Sequence, residues 1–131
     1  MPDDFVSTRP LIDKLGVKPL MRVSVLGVKD ESFMALLRER TPDISSKPRK
    51  DSDLIFYEAN SEAELKKLGT LKAYLKKDGA IWVISLKGKL RRLKDVQVIE
   101  AAKAAGLVDN KVVSFSETHT SLRLVIPKAL R

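Results

Sequence analysis

Hydrophobic and polar positions along the chain form blocks that predict alternating strands and helices. Three short runs are apolar on both faces and predict buried strands at Arg22–Leu26, Leu54–Tyr57 and Ala80–Leu86. Such runs are typical of central strands in a parallel sheet, because helices cover both faces of that sheet. Two further runs, Val112–Phe115 and Leu122–Ile126, are separated by a loop short enough to predict an antiparallel hairpin.

The segments before the second predicted strand carry helix signals and one irregular stretch. A short helix is expected from Thr8, which can cap it, to Leu15, with a proline in the first turn and a glycine after the end. Glu31–Arg40 is predicted to be helical because its apolar side chains fall on one face. That face carries Phe33, Leu36 and Leu37. Thr41–Ser52 contains two prolines and is predicted to be an irregular loop with, at most, a short strand around Asp43–Ser45.

Two more helices are predicted between the later strands. Ser61 and Glu64 have the spacing of a capping box, in which each side chain accepts a backbone amide of the first turn. The helix that they open is expected to end at Lys76–Gly79, where lysines precede a glycine. Its expected core stripe is Leu65, Leu68, Leu71 and Leu75. A last helix is expected from a capping Asp95 to Ala105.

This order of elements predicts an α/β fold with a mostly parallel, doubly wound sheet and a C-terminal antiparallel hairpin. The whole of 1–131 is expected to form one domain, with a flexible start at 1–7. Sheets of this class bind ligands outside the carboxyl ends of their parallel strands. That rule puts Leu26–Asp30, Glu58–Ser61 and Ser85–Lys89 on one candidate ligand-binding edge.

Composition narrows the class of protein and its compartment. The apolar share of 44% and the charged share of 32% are typical of a soluble globular protein. The longest apolar run is too short to cross a bilayer, and the acidic start lacks the pattern of a signal peptide. The absence of cysteine excludes disulfides, thiolate metal sites and a cysteine nucleophile. A cytoplasmic location without membrane contact is therefore expected.

The net charge of +8 lies entirely in the second half of the chain. Residues 1–60 hold ten Lys or Arg and ten Asp or Glu, whereas residues 61–131 hold fifteen against seven. The densest stretch is 87–94, which is either an anion-binding loop or an ordinary solvated loop, and the solvated loop is favoured. Its candidate anion-binding residues are Lys87, Lys89, Arg91, Arg92 and Lys94.

No motif in the chain assigns a catalytic or metal-binding residue. The single histidine, His119, falls in the predicted hairpin loop, and the sequence shows no metal-ligand spacing around it. Neither a Gly-x-Ser-x-Gly elbow nor a phosphate-binding Gly-x-x-x-x-Gly-Lys-Ser/Thr loop occurs. Trp82, inside an apolar strand, is predicted to be a core residue.

Several segments resemble the S-adenosylmethionine-dependent methyltransferase fold, which has a three-layer Rossmann-like sandwich. Leu15–Pro19 resembles the segment before the first strand, Leu75–Val83 the turn into the fifth strand, and Ala105–Val108 the start of the last pair. The resemblance implies a methyltransferase-like sheet shortened around the second and third strands, since those elements would have to fit within Thr41–Ser52.

The chain also resembles a small bacterial family of unknown function over most of residues 8–126. The matching motifs are Leu-Gly-Val-Lys-Pro at 15–19, Asp-Leu-Ile at 53–55, Asp-Gly-Ala-Ile-Trp-Val at 78–83 and Ala-Gly-Leu-Val-Asp-Asn-Lys-Val at 105–112. That family has no assigned reaction.

The first corner departs from the methyltransferase pattern. The family has Asp/Glu-x-Gly-x-Gly there, whereas this chain has Val25-Leu26-Gly27-Val28-Lys29. A side chain at the second glycine position hinders the close backbone approach that the cofactor needs. The acid that ends the second strand and holds the ribose is represented only by Asp43 and Asp51. The candidate cofactor-contacting positions that remain are Gly27, Asp30, Glu58 and Ser85.

The position of the methyltransferase catalytic loop, Asn/Asp-Pro-Pro-Tyr, is taken by Glu58-Ala59-Asn60-Ser61, which has no proline and no aromatic residue. Glu58 can act as a base and Asn60 can orient a polar group, but helix entry explains Asn60 and Ser61 better.

Three functions follow from these observations. The favoured one is a degenerate, non-catalytic methyltransferase-like domain that binds a small ligand or a protein partner, with no cofactor expected. The first alternative is a cut-down enzyme that uses S-adenosylmethionine. The second is a binder of nucleic acid or another anion through residues 87–94.

Overall fold

A computed structural model describes residues 10–131 of the chain. The expected flexible start at 1–7 and the expected cap at Thr8 lie outside the described residues. Within that range, no helix has the length and apolar character needed to cross a membrane.

Six strands and five helices form the framework of the described residues. The strands are β1 Val23–Leu26, β2 Ile44–Ser45, β3 Ser52–Glu58, β4 Leu75–Leu86, β5 Val108–Ser114 and β6 His119–Val125. The helices are α1 Leu11–Lys14, α2 Glu31–Arg40, α3 Glu62–Leu65, α4 Leu68–Lys72 and α5 Asp95–Ala104. Two 3₁₀ turns occupy Gly88–Leu90 and Lys128–Leu130.

All six strands form one mixed sheet in the order β2-β1-β3-β4-β6-β5. The pairs β1–β2, β1–β3 and β3–β4 are parallel, whereas β6 is antiparallel to both β4 and β5. The predicted α/β fold with a C-terminal antiparallel hairpin is therefore confirmed. The shortening around the second strand is visible in β2, which is only 2 residues long.

Helices cover both faces of the sheet and give the fold three layers. Buried residues of α1 and α2, such as Ile12, Phe33 and Leu37, pack with one set of strand side chains. Buried residues of α3, α4 and α5, such as Leu68 and Val98, pack with the alternate set. This arrangement explains why the central strands are apolar on both faces.

Trp82 lies in the first of these two core layers, as predicted. It is 0% exposed, and its indole N–H donates a hydrogen bond to the carbonyl of Leu15 at 3.1 Å. The bond joins α1 to the central strand β4, so one side chain connects segments that are far apart in sequence.

The prediction that a helix runs through Leu75 to Lys76–Gly79 is wrong. The helical segment ends at Lys72, and Leu75 already pairs with Ser52 as the first residue of β4. Between this pair and the next, Leu54 with Ala80, the two strands change register. Lys76–Asp78 are exposed in the resulting bulge, and Gly79 packs against β3. A glycine that resembles a helix terminator in sequence thus allows close contact between strands.

Three smaller expectations also change. Leu36, expected on the buried face of α2, is 38% exposed. The first helix starts after Pro10, and Asp95 is the first residue of α5 while Lys94 occupies the cap position. The Lys94 backbone N–H donates to the Gln97 side chain at 2.8 Å, so glutamine satisfies the amide that begins the helix.

The segment 41–52 contains the short strand expected around Asp43–Ser45, which the structure places at Ile44–Ser45. The Asp43 carboxylate accepts hydrogen bonds from the Arg49 and Arg22 side chains. The hydrogen bond from Arg49 holds the pKa of Asp43 below its usual value, and Arg22 acts in the same direction. This ion-pair cluster ties the segment to the start of β1.

The Asp43 cluster predicts an acid-dependent part of stability. Because the pKa of Asp43 is lower in the folded chain, its ionised form stabilises the fold above about pH 4 and loses that effect as the pH falls further. Asp43→Asn is therefore expected to lower the free energy of unfolding more at pH 7 than at pH 3. Urea unfolding of both proteins at each pH measures this difference, and an equal effect at the two pH values contradicts it.

Candidate functional site

A cleft of about 460 Å³ opens where the parallel strands end. The segment after β1, the last residue of β3 and the β5–β6 hairpin all contribute to its walls. We call it the rim cleft, and its lining residues are Gly27, Val28, Lys29, Asp30, Glu58, Phe115, Thr118 and His119. The cleft therefore lies outside the carboxyl ends of the parallel strands, where sheets of this class bind ligands.

The corner after β1 forms one wall of the rim cleft. Gly27 has a φ of +80°, a backbone conformation that favours glycine. Asp30 immediately precedes α2, and its carboxylate accepts the Phe33 backbone N–H at 3.0 Å as the cap of that helix. This carboxylate satisfies an amide at the start of α2, which a bound anion would otherwise contact.

Glu58 and His119 meet across the rim cleft. The His119 Nε2 atom lies 3.1 Å from Glu58 Oε2, and the two side chains are largely buried, at 21% and 25% exposure respectively. The same carboxylate oxygen accepts the Asn60 side-chain amide at 3.1 Å. Asn60 in turn accepts the Leu86 backbone N–H at 2.8 Å, so the end of β4 fixes the position of the Glu58 carboxylate.

A second contact fixes the other side of the imidazole. Thr118 Oγ1 lies 2.8 Å from His119 Nδ1. If Nε2 carries the proton and donates to Glu58, neutral His119 accepts the Thr118 hydroxyl at Nδ1. Glu58 Oε1 has no hydrogen-bond partner among residues 10–131. The site thus offers one vacant carboxylate acceptor beside an oriented imidazole.

The floor of the rim cleft is apolar. Phe115 is 5% exposed and packs against Phe33 with ring centroids 4.8 Å apart. Phe33 also contacts Phe56 at 5.0 Å, which connects the floor to the core layer below α2. A cleft with an aromatic floor and a few fixed polar groups has the usual character of a small-molecule site.

Three of the four candidate cofactor-contacting residues come together in the rim cleft: Gly27, Asp30 and Glu58. Ser85 is separate from them, because it is 5% exposed within β4, pairs with Thr120 and is not part of the cleft lining. Ser61 caps α3 by accepting the Glu64 backbone N–H at 3.2 Å, which confirms its predicted role in helix entry.

The candidate ribose acids lie at the amino ends of the parallel strands, whereas the rim cleft lies at the carboxyl ends. Asp43 immediately precedes β2, and its carbonyl accepts the N–H of Val23 at the start of β1. Asp51 immediately precedes β3. Both acids therefore lie at the amino ends of their strands, away from the rim cleft.

The basic segment, defined as Lys87–Lys94, follows the carboxyl end of β4 and so lies on the same edge as the rim cleft. The backbone N–H of Lys87 donates to the Thr118 carbonyl at 3.0 Å, which places the start of the segment beside the hairpin. Arg91 forms an ion pair with Asp95 at 3.6 Å. The five cationic residues of the segment are thus grouped at this edge, as the sequence order predicts.

His119 is the functional candidate that sequence reasoning missed. It was expected in the hairpin loop, whereas it is the first residue of β6 and pairs with Leu86. Antiparallel pairing with β4 puts the start of β6 at the carboxyl end of β4, next to Glu58. The available signal was the alternation of β6, which extends back to His119 if the loop is shortened. In the described residues, no group of three or more His, Cys, Asp or Glu is arranged to hold a metal ion.

Comparison with known proteins gives a family and a fold. The family described as "Protein of unknown function (DUF3052)" matches residues 17–128. Among curated protein sequences, none matches this chain significantly.

Solved structures of methyltransferases share the fold at low sequence identity. The SAM-dependent methyltransferase from Aquifex aeolicus is 16% identical, with a TM-score of 0.60, and the match covers 88% of each chain. A TehB-like SAM-dependent methyltransferase from Corynebacterium glutamicum is 14% identical, with a TM-score of 0.58 over 88% of this chain and 85% of that one. Mitomycin 7-O-methyltransferase MmcR is 10% identical, with a TM-score of 0.58. That match covers 81% of this chain but only 49% of the mitomycin enzyme, so this chain spans about half the length of that protein. At these identities the likeness shows a methyltransferase-like fold and not an activity.

Proposed function

The chain belongs to the DUF3052 family of proteins of unknown function, and we propose that it is a non-catalytic domain of methyltransferase-like fold that binds a small polar ligand in the rim cleft. The ligand carries at least one hydrogen-bond donor, which the vacant oxygen of Glu58 accepts. The proposal concerns recognition of the ligand and assigns no bond-making step to the domain.

The single observation that carries this proposal is the Glu58–His119 pair inside the rim cleft. Its two polar groups are held 3.1 Å apart by contacts from Asn60 and Thr118, so little side-chain freedom remains to be lost when a ligand binds. Fixed polar groups above an aromatic floor supply orientation and contact area together.

Three features of the sequence and the structure argue against ordinary methyl transfer. Lys29 stands where the methyltransferase corner has its second glycine, and Asp30 caps α2 with its own carboxylate. Asp43, a candidate ribose acid, lies at the amino end of β2, away from the rim cleft. Conventional contacts to the cofactor's adenosyl group are therefore missing at both places where the fold usually supplies them.

A thermal-shift screen tests the proposal. A ligand present at 100 times its Kd adds about 2.7 kcal/mol to the free energy of unfolding, which raises the Tm by roughly 6 °C or more in a chain of this size. We expect no rise of this kind with millimolar S-adenosylmethionine or its demethylated product. We expect a rise with a member of a panel of amino acids, amines and nucleosides.

Saturable binding of S-adenosylmethionine in a calorimetric titration would instead support the cut-down methyltransferase, which is the second candidate favoured by the fold neighbours. If neither the cofactor nor any compound of the panel binds, the ligand-binding proposal is wrong.

Two substitutions locate the ligand in the rim cleft. Glu58→Gln removes a charged acceptor, and hydrogen bonds to charged groups contribute about 1.5–3 kcal/mol, so the Kd of the compound found in the screen is expected to rise at least about tenfold. His119→Ala is expected to act in the same direction because it removes the partner of that carboxylate. Thr70→Ala, an exposed change on α4, is the matched control and leaves the Kd unchanged. A Kd unaffected by both cleft variants places the ligand elsewhere.

A further inference from the structure

The basic segment has a concentrated positive charge, since its eight residues contain five Lys or Arg and no Asp or Glu. Four of the cationic residues, Lys89, Arg91, Arg92 and Lys94, are exposed. Within residues 10–131, the only ion pair made by the segment joins Arg91 to Asp95 at 3.6 Å. Exposed pairs of this kind contribute little and leave the cations accessible to another anion.

The backbone of the basic segment is held in place at both ends. Lys87 donates its N–H to Thr118 and its Nζ atom to Ser114 Oγ at 2.6 Å. A 3₁₀ turn begins at Gly88, whose φ is +66°, and Leu93 is buried at 3% exposure. Since the cations project from an ordered turn and not from a free chain, ordering the backbone adds little to the cost of binding.

One further cation lies at this end of the sheet, because Lys29 lines the rim cleft together with the acids Asp30 and Glu58. The net charge of the whole chain is +8. Such a surface attracts a polyanion and increases the rate of association with it.

We propose that the basic segment binds the phosphate backbone of double-stranded nucleic acid, independently of the ligand of the rim cleft. Phosphate contacts from Lys and Arg supply sequence-independent affinity. The segment contains no aromatic residue on which the bases of a single strand could stack. Leu90, at 57% exposure, is its only exposed large apolar side chain, which is too little apolar surface to insert into a membrane.

Fluorescence anisotropy with a labelled DNA duplex of about 20 base pairs at low salt tests this proposal. The unmodified protein is expected to bind the duplex, and the logarithm of its binding constant is expected to fall linearly with the logarithm of the salt concentration. The variant Lys89→Ala, Arg91→Ala, Arg92→Ala is expected to bind at least about tenfold more weakly and to reduce the slope by roughly 2 to 3, because each phosphate contact contributes about 0.9.

A second triple variant, which has the same net charge as the first, provides the control. Lys66→Ala, Lys67→Ala, Lys77→Ala removes three exposed lysines outside the basic segment and is expected to retain most of the affinity. His119→Ala should also bind the duplex normally, so failure of the rim-cleft proposal can be told apart from failure of this one. Equal Tm values for the charge variants exclude unfolding as the cause.

Three results would overturn the proposal. The first is no binding of the duplex at low salt by the unmodified protein. The second is an equal loss in the two charge variants, which makes net charge and not the basic segment the determinant. The third is preferential binding of vesicles that contain anionic lipid, with the same sensitivity to Lys89, Arg91 and Arg92, which makes a lipid surface the partner.

Discussion

Replacing Trp82 with alanine is expected to lower the free energy of unfolding by about 3–5 kcal/mol, the usual cost of truncating a fully buried aromatic side chain. Trp82 is 0% exposed in the core layer beneath α1 and α2. The change removes its packing and leaves the Leu15 carbonyl without the indole donor. Since domains of this size have about 5–15 kcal/mol of stability, a large part of the total is lost.

Urea unfolding followed by circular dichroism measures the effect, and Trp82→Phe separates its two causes. Phenylalanine keeps most of the apolar volume but cannot donate to Leu15, so a smaller loss of about 1–3 kcal/mol is expected from the unpaired carbonyl and the reduced volume. If Trp82→Ala unfolds at the same urea concentration as the unmodified chain, the contact between α1 and β4 does not contribute to stability.

Gly79→Ala is expected to destabilise the fold by about 1–3 kcal/mol, although alanine is only one methyl group larger. A Cβ at this position would lie 2.7 Å from the Asp53 carbonyl oxygen and 2.9 Å from Leu75 Cδ1. The first of these atoms belongs to the backbone of β3, so the strand itself has to move to admit the methyl group. The strain falls at the bulge where β3 and β4 change register.

Gly69→Ala is the matched control for this prediction. Gly69 lies within α4, and a Cβ there would meet no heavy atom within 4 Å. Alanine is therefore expected to stabilise the fold by about 0.4–1 kcal/mol through its lower backbone entropy in the unfolded chain. Thermal unfolding of the two variants should give Tm shifts of opposite sign. Equal shifts would show that Gly79 does not approach β3 closely.

The main strands and α2 were predictable because local pattern and tertiary environment agree there. Glu31–Arg40 has the bounds that its periodicity predicts, with Asp30 as its cap. The continuous apolar run of Ala80–Leu86 indicates a strand covered on both faces, and the sheet places it in the centre. The prediction was wrong at Leu75–Gly79, where lysines followed by a glycine also fit the end of a helix. Pairing with Ser52, a long-range contact, decides between the two structures.

The rim cleft was predictable only in part. Gly27, Asp30 and Glu58 follow from the rule that ligands bind at the carboxyl ends of parallel strands. Ser85 fits the same rule but is buried, because a residue near a strand end can still face a packed layer. His119 was missed since its place depends on where the hairpin turns and on which strand β6 pairs with.

By itself the sequence determined the α/β class, the order of the main strands along the chain and the basic character of residues 87–94, because these depend on local periodicity and composition. Only the tertiary structure decided that Glu58 and His119 meet at 3.1 Å, and that Asp43 lies at the amino ends of the parallel strands, away from the rim cleft. The physical reason is that a contact over 61 residues of sequence depends on strand order and register. Both are set by long-range pairing, on which a local pattern carries little information.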